Sequence, residues 1–228
     1  MSALTQMLRD ARAVAVFSGA GVSTLCGIPD FRGPQGLYKQ PDAERIFDID
    51  WFDRDPSVYY RGCRELIYGL KNFRPGPVHQ AVAMLEQLGI VRGVITQNID
   101  MLHQKAGSKV VHEVHGSPLV HRCYRCGMTK SFDDICAMIE ATDRQSGQAS
   151  EPAPAPNPAL TPAPNLSPSL SPSPSPTLSL SPSRAFVPRC ERCGGPYKPD
   201  ITFFGEALPE SAFENAVNLA RQADLMLV

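Results

Sequence analysis

Gly19-Ala20-Gly21-Val22-Ser23-Thr24-Leu25-Cys26-Gly27-Ile28-Pro29-Asp30-Phe31-Arg32 comes directly after the apolar run Ala13-Val14-Ala15-Val16-Phe17. A buried strand that feeds a glycine-rich turn lets backbone N–H groups approach the phosphates of a ligand, because glycine has no Cβ to hold the chain away. The stretch departs from the dinucleotide fingerprint of dehydrogenases. The third glycine of G-x-G-x-x-G would fall at Thr24, and no acidic residue about 20 positions on closes a second apolar strand. The loop runs instead into Asp30-Phe31-Arg32, an acid, an aromatic and a cation beside the expected phosphate site. Taken alone, Gly-Ala-Gly after a strand is as readily a tight turn as a cofactor loop, so the rest of the chain must decide.

Composition narrows what such a loop can serve. With 228 residues, 43% hydrophobic and 20% charged, the chain can bury a sizeable core as one large or two small domains. A formal net charge of −1 gives no general pull toward nucleic acid or acidic lipid, so neither is an expected partner. The first strand-like run begins by Ala13, which leaves no room for a signal peptide, and no run of about 18 apolar residues is there to span a bilayer. A cytoplasmic location is the expectation. Seven cysteines, four of them in two C-x-x-C pairs, suit metal ligation in a reducing compartment better than a disulfide framework.

Leu4, Met7 and Leu8 are spaced for one face of a short N-terminal helix. Gly33-Pro34-Gln35-Gly36-Leu37-Tyr38-Lys39 is rich in turn formers and is expected to be a mobile surface loop that orders over a ligand. Trp51, Phe52, Tyr59, Tyr60, Leu66 and Ile67 suit short helices between positions 46 and 70, and read first as the filling of a small helical module. Residues 77–88 form an amphipathic pattern stopped by Gly89, with His79, Val82, Ala83 and Leu85 available to its faces. The β-branched run 91–96 reads as a buried parallel strand ending in Gln97-Asn98-Ile99-Asp100, ahead of a helical stretch over 101–106.

Ligands sit at the carboxyl ends of strands in open parallel sheets, which singles out Asn98 and Asp100. Capping the next helix is their other reading, and the two roles can coexist. If residues 110–114 form a strand, His112 and Val114 share one face and Val111, Glu113 and His115 the other. His115 stands at the end of that strand beside a glycine. An imidazole there is a natural general base as well as an ordinary structural histidine.

Cys123-Tyr124-Arg125-Cys126-Gly127 and Cys190-Glu191-Arg192-Cys193-Gly194-Gly195 are two matching knuckles. Two residues between thiolates and a glycine just after them allow both sulfurs of a tight turn to reach one tetrahedral zinc. A redox C-x-x-C is the alternative for either pair alone, but two pairs with no open position favour a structural ion. Between Cys126 and Cys190 lie 63 residues, where ribbons of this type have roughly 15 to 20. The excess has a visible source, because positions 151–184 hold 11 of the 22 prolines amid Ala, Ser, Leu, Thr and Asn. Such a composition cannot offset its ordering entropy, and positions 145–184 are expected to be a disordered insertion that leaves 23 residues between the knuckles. Loop-closure entropy rises by only about 0.6 kcal/mol per doubling of length, so the zinc site tolerates it. Beyond the second knuckle, residues 198–206 read as a strand and turn, 211–220 as an amphipathic helix and 224–228 as a buried strand.

Together these motifs resemble the sirtuin family of NAD-dependent protein lysine deacylases, of the bacterial deacetylase type. The resemblance is carried in order by Gly19-Ala20-Gly21-Val22-Ser23 with Gly27–Arg32, Thr96-Gln97-Asn98-Ile99-Asp100, His115-Gly116, the two knuckles and Phe203-Phe204-Gly205-Glu206. It implies an α/β fold: a Rossmann-like parallel sheet with an inserted small helical module and a zinc ribbon. The implied boundaries are 1–40, 76–120 and 201–228 for the parallel-sheet domain, 41–75 for the helical module and 121–200 for the zinc module.

Carried over by position, Gly19, Ala20 and Gly21 would line the NAD phosphates and ribose. Asp30, Phe31, Arg32 and the loop to Tyr38 would cover the cofactor, with Phe31 shielding the reactive sugar carbon. Gln97, Asn98 and Asp100 would hold the nicotinamide ribose and carboxamide, and His115, with Asn98 beside it, would be the catalytic base. Cys123, Cys126, Cys190 and Cys193 would hold one structural zinc. Thr202, Phe203, Phe204 and Gly205 would pair as a strand with the backbone of an acylated lysine substrate.

Cys26 stands where many relatives have Ser or Ala. Cys63 and Leu66 stand where desuccinylating relatives have Tyr and Arg, so the acyl pocket is expected to take neutral chains. The family pattern continues after the strand at 224–228 with a Gly-Thr/Ser-Ser loop and further strands for the adenosine half of NAD; residues 1–228 are therefore expected to bind NAD weakly. An acyl-lysine binding or scaffold module, and an NAD-dependent ADP-ribosyltransferase, are the alternatives to a deacylase.

Overall fold

In the computed structural model, which describes residues 3–33, 36–39, 43–146 and 186–228, the apolar run ahead of the glycine loop becomes an inner strand. Helix α1 (Ala3–Asp10) leads into β1 (Val14–Ser18), whose Val14 and Ala15 are completely buried. A strand apolar on both faces needs cover on both sides. The cover comes from helices that the chain adds later. Three short helices come next, α2 (Ala43–Ile46), α3 (Ile49–Arg54) and α4 (Ser57–Gly62), and then α5 (Pro77–Gln87) returns the chain to β2 (Val91–Thr96). Asp48 caps α3 by accepting from the Trp51 N–H at 2.9 Å, a role suited to its short carboxylate. After β2 come α6 (Leu102–Ala106) and β3 (Val111–Glu113).

The chain then leaves the parallel sheet. Strands β4 (Gly116–Cys123) and β5 (Thr129–Ser131), helix α7 (Phe132–Ser146) and strand β6 (Tyr197–Ile201) form the second lobe, before α8 (Glu210–Gln222) and β7 (Leu225–Leu227) return to the first. Two sheets result. The first is parallel in the order β3-β2-β1-β7, and the second antiparallel in the order β5-β4-β6. Strand order reverses direction at β1, since β2 and β3 extend to one side and β7 to the other. The crevice beyond the carboxyl end of a strand at such a switch point is where open α/β sheets bind ligands.

Three apolar clusters hold this together. Val14, Val16, Val82, Val91 and Val94 pack α5 against one face of the parallel sheet, and Ala15, Ile95, Val114, Ala216 and Leu219 pack α8 against the other. The placement of Val111 and Val114 in different clusters confirms that they face opposite ways. The third cluster runs from Ile46, Phe52, Tyr59, Tyr60 and Ile67 through Phe132, Ile135 and Tyr197 to Phe203. The aromatics of the helical module therefore do more than fill that module. Tyr60 donates its hydroxyl hydrogen to the Tyr197 carbonyl at 2.8 Å, and the Tyr59 ring lies 5.3 Å from Phe203.

Several expectations change. The segment expected to be a loose surface loop is, over Gly36–Lys39, a hydrogen-bonded turn in which Gly36 is buried and the Tyr38 N–H reaches the Phe31 carbonyl at 3.0 Å; Pro34 and Gln35 lie outside the described residues. Helix α7 is not among the expected elements, and it runs to Ser146, past the expected start of the insertion. The rest of that insertion, to position 184, lies outside the described residues. β7 is not a buried strand: it is an edge of the described sheet, and Met226 is 39% exposed. Of the strand and turn read over 198–206, the strand occupies β6 and stops at Ile201, and the backbone beyond it is hydrogen-bonded within the chain. The N–H groups of Thr202, Phe203 and Phe204 go to the His115 carbonyl, the Glu206 carboxylate and the Phe47 carbonyl, and the Phe204 carbonyl accepts from Ile49. Among the described residues no helix is long and apolar enough to cross a membrane.

Candidate active site

The carboxyl ends of β1 and β2 deliver Ser18 and Thr96 side by side, and the chain beyond them carries almost every polar residue that the sequence singled out. Ser18 Oγ donates to Thr96 Oγ1 at 2.9 Å, and the Gln97 N–H reaches the Ser18 carbonyl at 3.0 Å. Asn98 is held at three points. Its backbone N–H donates to Thr96 Oγ1 at 3.1 Å, and its side-chain amide donates to the Gly19 carbonyl at 3.0 Å and to Ser23 Oγ at 3.2 Å. Asp100 takes the capping role read from the sequence and is also tied to the glycine loop. One carboxylate oxygen caps α6 through the Leu102 N–H at 2.9 Å, and the other accepts from Ser23 Oγ at 2.6 Å.

Two buried histidines support this network, and the sequence reading gave neither a site role. His79 Nδ1 accepts from the Gly76 N–H at 3.3 Å, so its Nε2 carries the hydrogen that faces Ser23 Oγ at 3.4 Å. His103 Nε2 lies 2.9 Å from Ser18 Oγ, and the two rings are 4.8 Å apart. Burial lowers the pKa of both, that of His103 to about 4 with a further push from His79. Both are therefore neutral near pH 7. Cys26, half-buried, sits 3.9 Å from His79 Nδ1, and burial raises its pKa, which keeps the thiol protonated.

His115 occupies the turn between β3 and β4. Its Nδ1 lies 2.9 Å from the Gln97 carbonyl. A carbonyl only accepts, so Nδ1 carries the hydrogen and Nε2 presents a lone pair, the tautomer a general base requires. Glu113, two residues before it, is largely buried and its pKa is raised by that burial.

The loop that the resemblance assigned to cofactor cover packs on the aromatic cluster of the second lobe. Asp30 Oδ1 accepts from the Gly33 N–H at 2.9 Å. Phe31 lies 5.4 Å from Tyr38 and 6.2 Å from Phe47, and Tyr38 lies 5.8 Å from Phe204. Arg32 is exposed. At Gly19 and Gly21 an added Cβ would meet nothing within 4 Å, so the backbone there borders open space rather than packed protein. A phosphate-bearing cofactor fits that cradle, bounded by the Asn98 amide.

Past His115, Lys198 fixes the second wall. Its buried ammonium reaches the Ile201 carbonyl and the Glu206 carboxylate, both at 2.8 Å, and lies 4.1 Å from the Phe203 ring centroid. This holds Phe203 inside at 1% exposure and leaves Phe204 46% exposed. Thr202 faces an open groove of about 420 Å³ with Asp200, Glu206, Ala207 and Pro209. Cys63 and Leu66, the two positions expected to govern acyl charge, are buried in the aromatic cluster and bring no cation to it.

The four knuckle sulfurs lie within 4.8 Å of one another, with Cys123 to Cys193 at 3.4 Å and Cys126 to Cys190 at 3.7 Å. A tetrahedron with Zn–S bonds of about 2.3 Å has sulfur edges of about 3.8 Å, so the donor set fits one zinc. Each knuckle closes on a left-handed glycine, Gly127 and Gly194, whose N–H returns to the first cysteine carbonyl at 2.9 and 2.8 Å; a side chain there would be strained. Cys123 ends the strand that His115 precedes, and at about 3.3 Å per residue the knuckle stands up to about 26 Å along the chain from the base.

The Sir2 family model matches residues 19–228. An NAD-dependent protein deacetylase of Thermotoga maritima is 34% identical over 228 residues, which are 100% of this chain and 75% of that protein. An NAD-dependent protein deacylase 2 of Pyrobaculum aerophilum is 36% identical, covering 99% of this chain and 72% of its own length. Among solved structures, a Sir2 with a deacetylated p53 peptide and 3′-O-acetyl-ADP-ribose superposes with a TM-score of 0.74 at 34% identity, over 98% of this chain and 73% of the other. One bound to a propionylated peptide gives 0.70 at 31%, over 98% and 72%.

Proposed function

The chain belongs to the Sir2 family, and from that premise we propose that it is an NAD-dependent protein lysine deacylase acting on neutral acyl groups. The observation that carries the reading is His115, whose lone-pair nitrogen is set by the Gln97 carbonyl beside an Asn98 clamped to the open Gly19 backbone. Bound NAD supplies the ribose carbon that takes the acyl oxygen as nicotinamide leaves. His115 Nε2 accepts a proton from a hydroxyl in the cleft, and its Nδ1–H keeps the ring from turning as charge develops. Asn98 and Asp100, tied together through Ser23, orient the ribose and carboxamide. Phe31, packed between Tyr38 and Phe47, keeps water from the reacting carbon. Gly19, Ala20 and Gly21 face the phosphates, with Arg32 exposed nearby in the covering loop.

The acyl-lysine approaches over Phe204 and the groove at Thr202. With the N–H groups of 202–204 already spent, strand pairing there falls to backbone beyond Phe204. The zinc is structural. It holds β4 and β6 in register, and through them His115 and Thr202.

The test is NAD-dependent deacetylation of an acetyl-lysine peptide by the wild-type chain and His115→Ala. Loss of a general base lowers kcat by about 10²- to 10⁴-fold with thermal stability unchanged. Activity without NAD, or an unaffected variant, would sink the assignment, and label transfer from NAD to protein without deacetylation would favour ADP-ribosyl transfer. With matched peptides, acetyl is removed faster than succinyl; the reverse order would refute a neutral pocket.

A further inference from the structure

We propose that His103 is a positioning residue for His115, acting through Ser18, Thr96 and the Gln97–Asn98 peptide plane. The inference rests on the deacylase reading, but its geometry is independent of it.

His103 is 1% exposed, and the only hydrogen-bond partner of its ring among the described residues is Ser18 Oγ, 2.9 Å from Nε2. The single Ser18 hydroxyl hydrogen goes to Thr96 Oγ1. Ser18 therefore accepts from His103, and Nε2 carries the ring hydrogen. Nδ1 is then a bare lone pair, and it is one of four buried side-chain atoms among the described residues left without a partner. Protonating it would put a second N–H against nothing, so the ring is held neutral with one fixed donor. The donor's direction passes along the chain, from His103 Nε2–H to Ser18 Oγ and from Ser18 Oγ–H to Thr96 Oγ1. There it meets the Asn98 N–H at 3.1 Å.

That N–H belongs to a peptide unit whose other end is the Gln97 carbonyl, the acceptor of His115 Nδ1. A peptide unit is planar and turns as one body. Holding its N–H on one side fixes where its oxygen points on the other. The tautomer and tilt of the base thus depend on a hydroxyl pair anchored by a histidine on α6. A buried aspartate would orient an imidazole with a full charge; here a neutral relay and a backbone carbonyl do it. Replacing the donor loosens the plane and lets His115 sample the tautomer with its lone pair turned inward.

The experiment uses the whole chain and the variants His103→Leu, His103→Gln and Ser18→Ala. Glutamine can bring a side-chain N–H to Ser18, and leucine fills the space without one. In ¹⁵N-histidine-labelled protein without cofactor, His115 is expected as the Nδ1–H tautomer in the wild type and His103→Gln, and as a mixture in His103→Leu and Ser18→Ala. In steady-state deacetylation, His103→Leu and Ser18→Ala each lose about tenfold in kcat, the size of one buried hydrogen bond, while KM for the acyl peptide stays within about twofold. The double variant is no worse than either single, because both break one relay. His103→Gln recovers most of the rate. An unchanged His115 tautomer in the leucine and alanine variants, equal impairment by Gln and Leu, or additive losses would overturn the proposal. If His103→Leu fails to fold, Ser18→Ala and His103→Gln decide it by the same two readouts. If the wild type shows no NAD-dependent deacetylation, the functional reading fails, and the tautomer measurement still decides the relay.

Discussion

At the scale of single residues, each lobe holds a buried imidazole that must stay neutral. His121 is fully buried, its Nε2 is 3.1 Å from the Tyr68 hydroxyl, and burial, with Lys198 adding to it, pushes its pKa down to about 3. His103 is pushed to about 4. In the unfolded chain both titrate near pH 6.5. Above that pH neither state binds the proton, so the contribution to stability is complete and flat. As pH falls below about 6.5 the unfolded chain takes up protons that the folded chain refuses, and stability drops until the folded values are reached, with a slope of up to about 1.4 kcal/mol per pH unit for each histidine. The expected result is a urea midpoint that is level above pH 7 and falls steadily from 6.5 toward 4.5. His121→Phe removes part of that slope. A slope identical to wild type would show that His121 is not neutral by constraint.

Elements show why some of the site could be read in advance and some could not. The glycine loop, Asn98, Asp100 and the four cysteines announce themselves through spacing within a few residues, and each arrives where local rules put it. Ser18, Thr96, His79 and His103 matter through pairs 78, 85 and 56 positions apart. No local pattern encodes such pairs. Where the strand read within 198–206 stops is hidden for the related reason that the hydrogen bonds beyond Ile201 are claimed by Phe47, Ile49 and His115 from distant parts of the chain.

The zinc knuckles are the most local element, and their prediction is correspondingly direct. Metal analysis is expected to find one zinc per chain, and Cys190→Ser is expected to lose it. Because ligands brought together from two hairpin turns convert binding free energy into folding free energy, the melting temperature drops by about 10 °C or more. A chain that keeps its melting temperature after chelation would show that the second sheet closes without metal.

Over the whole molecule, the packing divides differently from the sequence. Chain order suggests a helical module at 41–75 and a zinc module at 121–200 as separate insertions, yet Phe52, Tyr59 and Tyr60 share one core with Ile135, Tyr197 and Phe203. The parallel sheet has its own two cores, on its α5 and α8 faces. The molecule is thus built as two bodies, joined where His115 passes into β4 and where Thr202 returns to it. The candidate cleft lies at that joint, with Gly19, Asn98 and Asp100 on the first body and Phe31, Tyr38 and Phe204 packed on the second. Cooperative units track shared cores rather than sequence continuity. Removing zinc is therefore expected to release α3 and α4 together with β4 and β6, although no cysteine ligand lies in either helix. In hydrogen exchange after chelation, amides of all four elements should lose protection by a similar factor, about tenfold or more, while those of β1 and β2 keep most of theirs. If α3 and α4 stayed protected while β4 and β6 opened, the common aromatic core would not be an energetic unit. If β1 opened with them, the two bodies would be one.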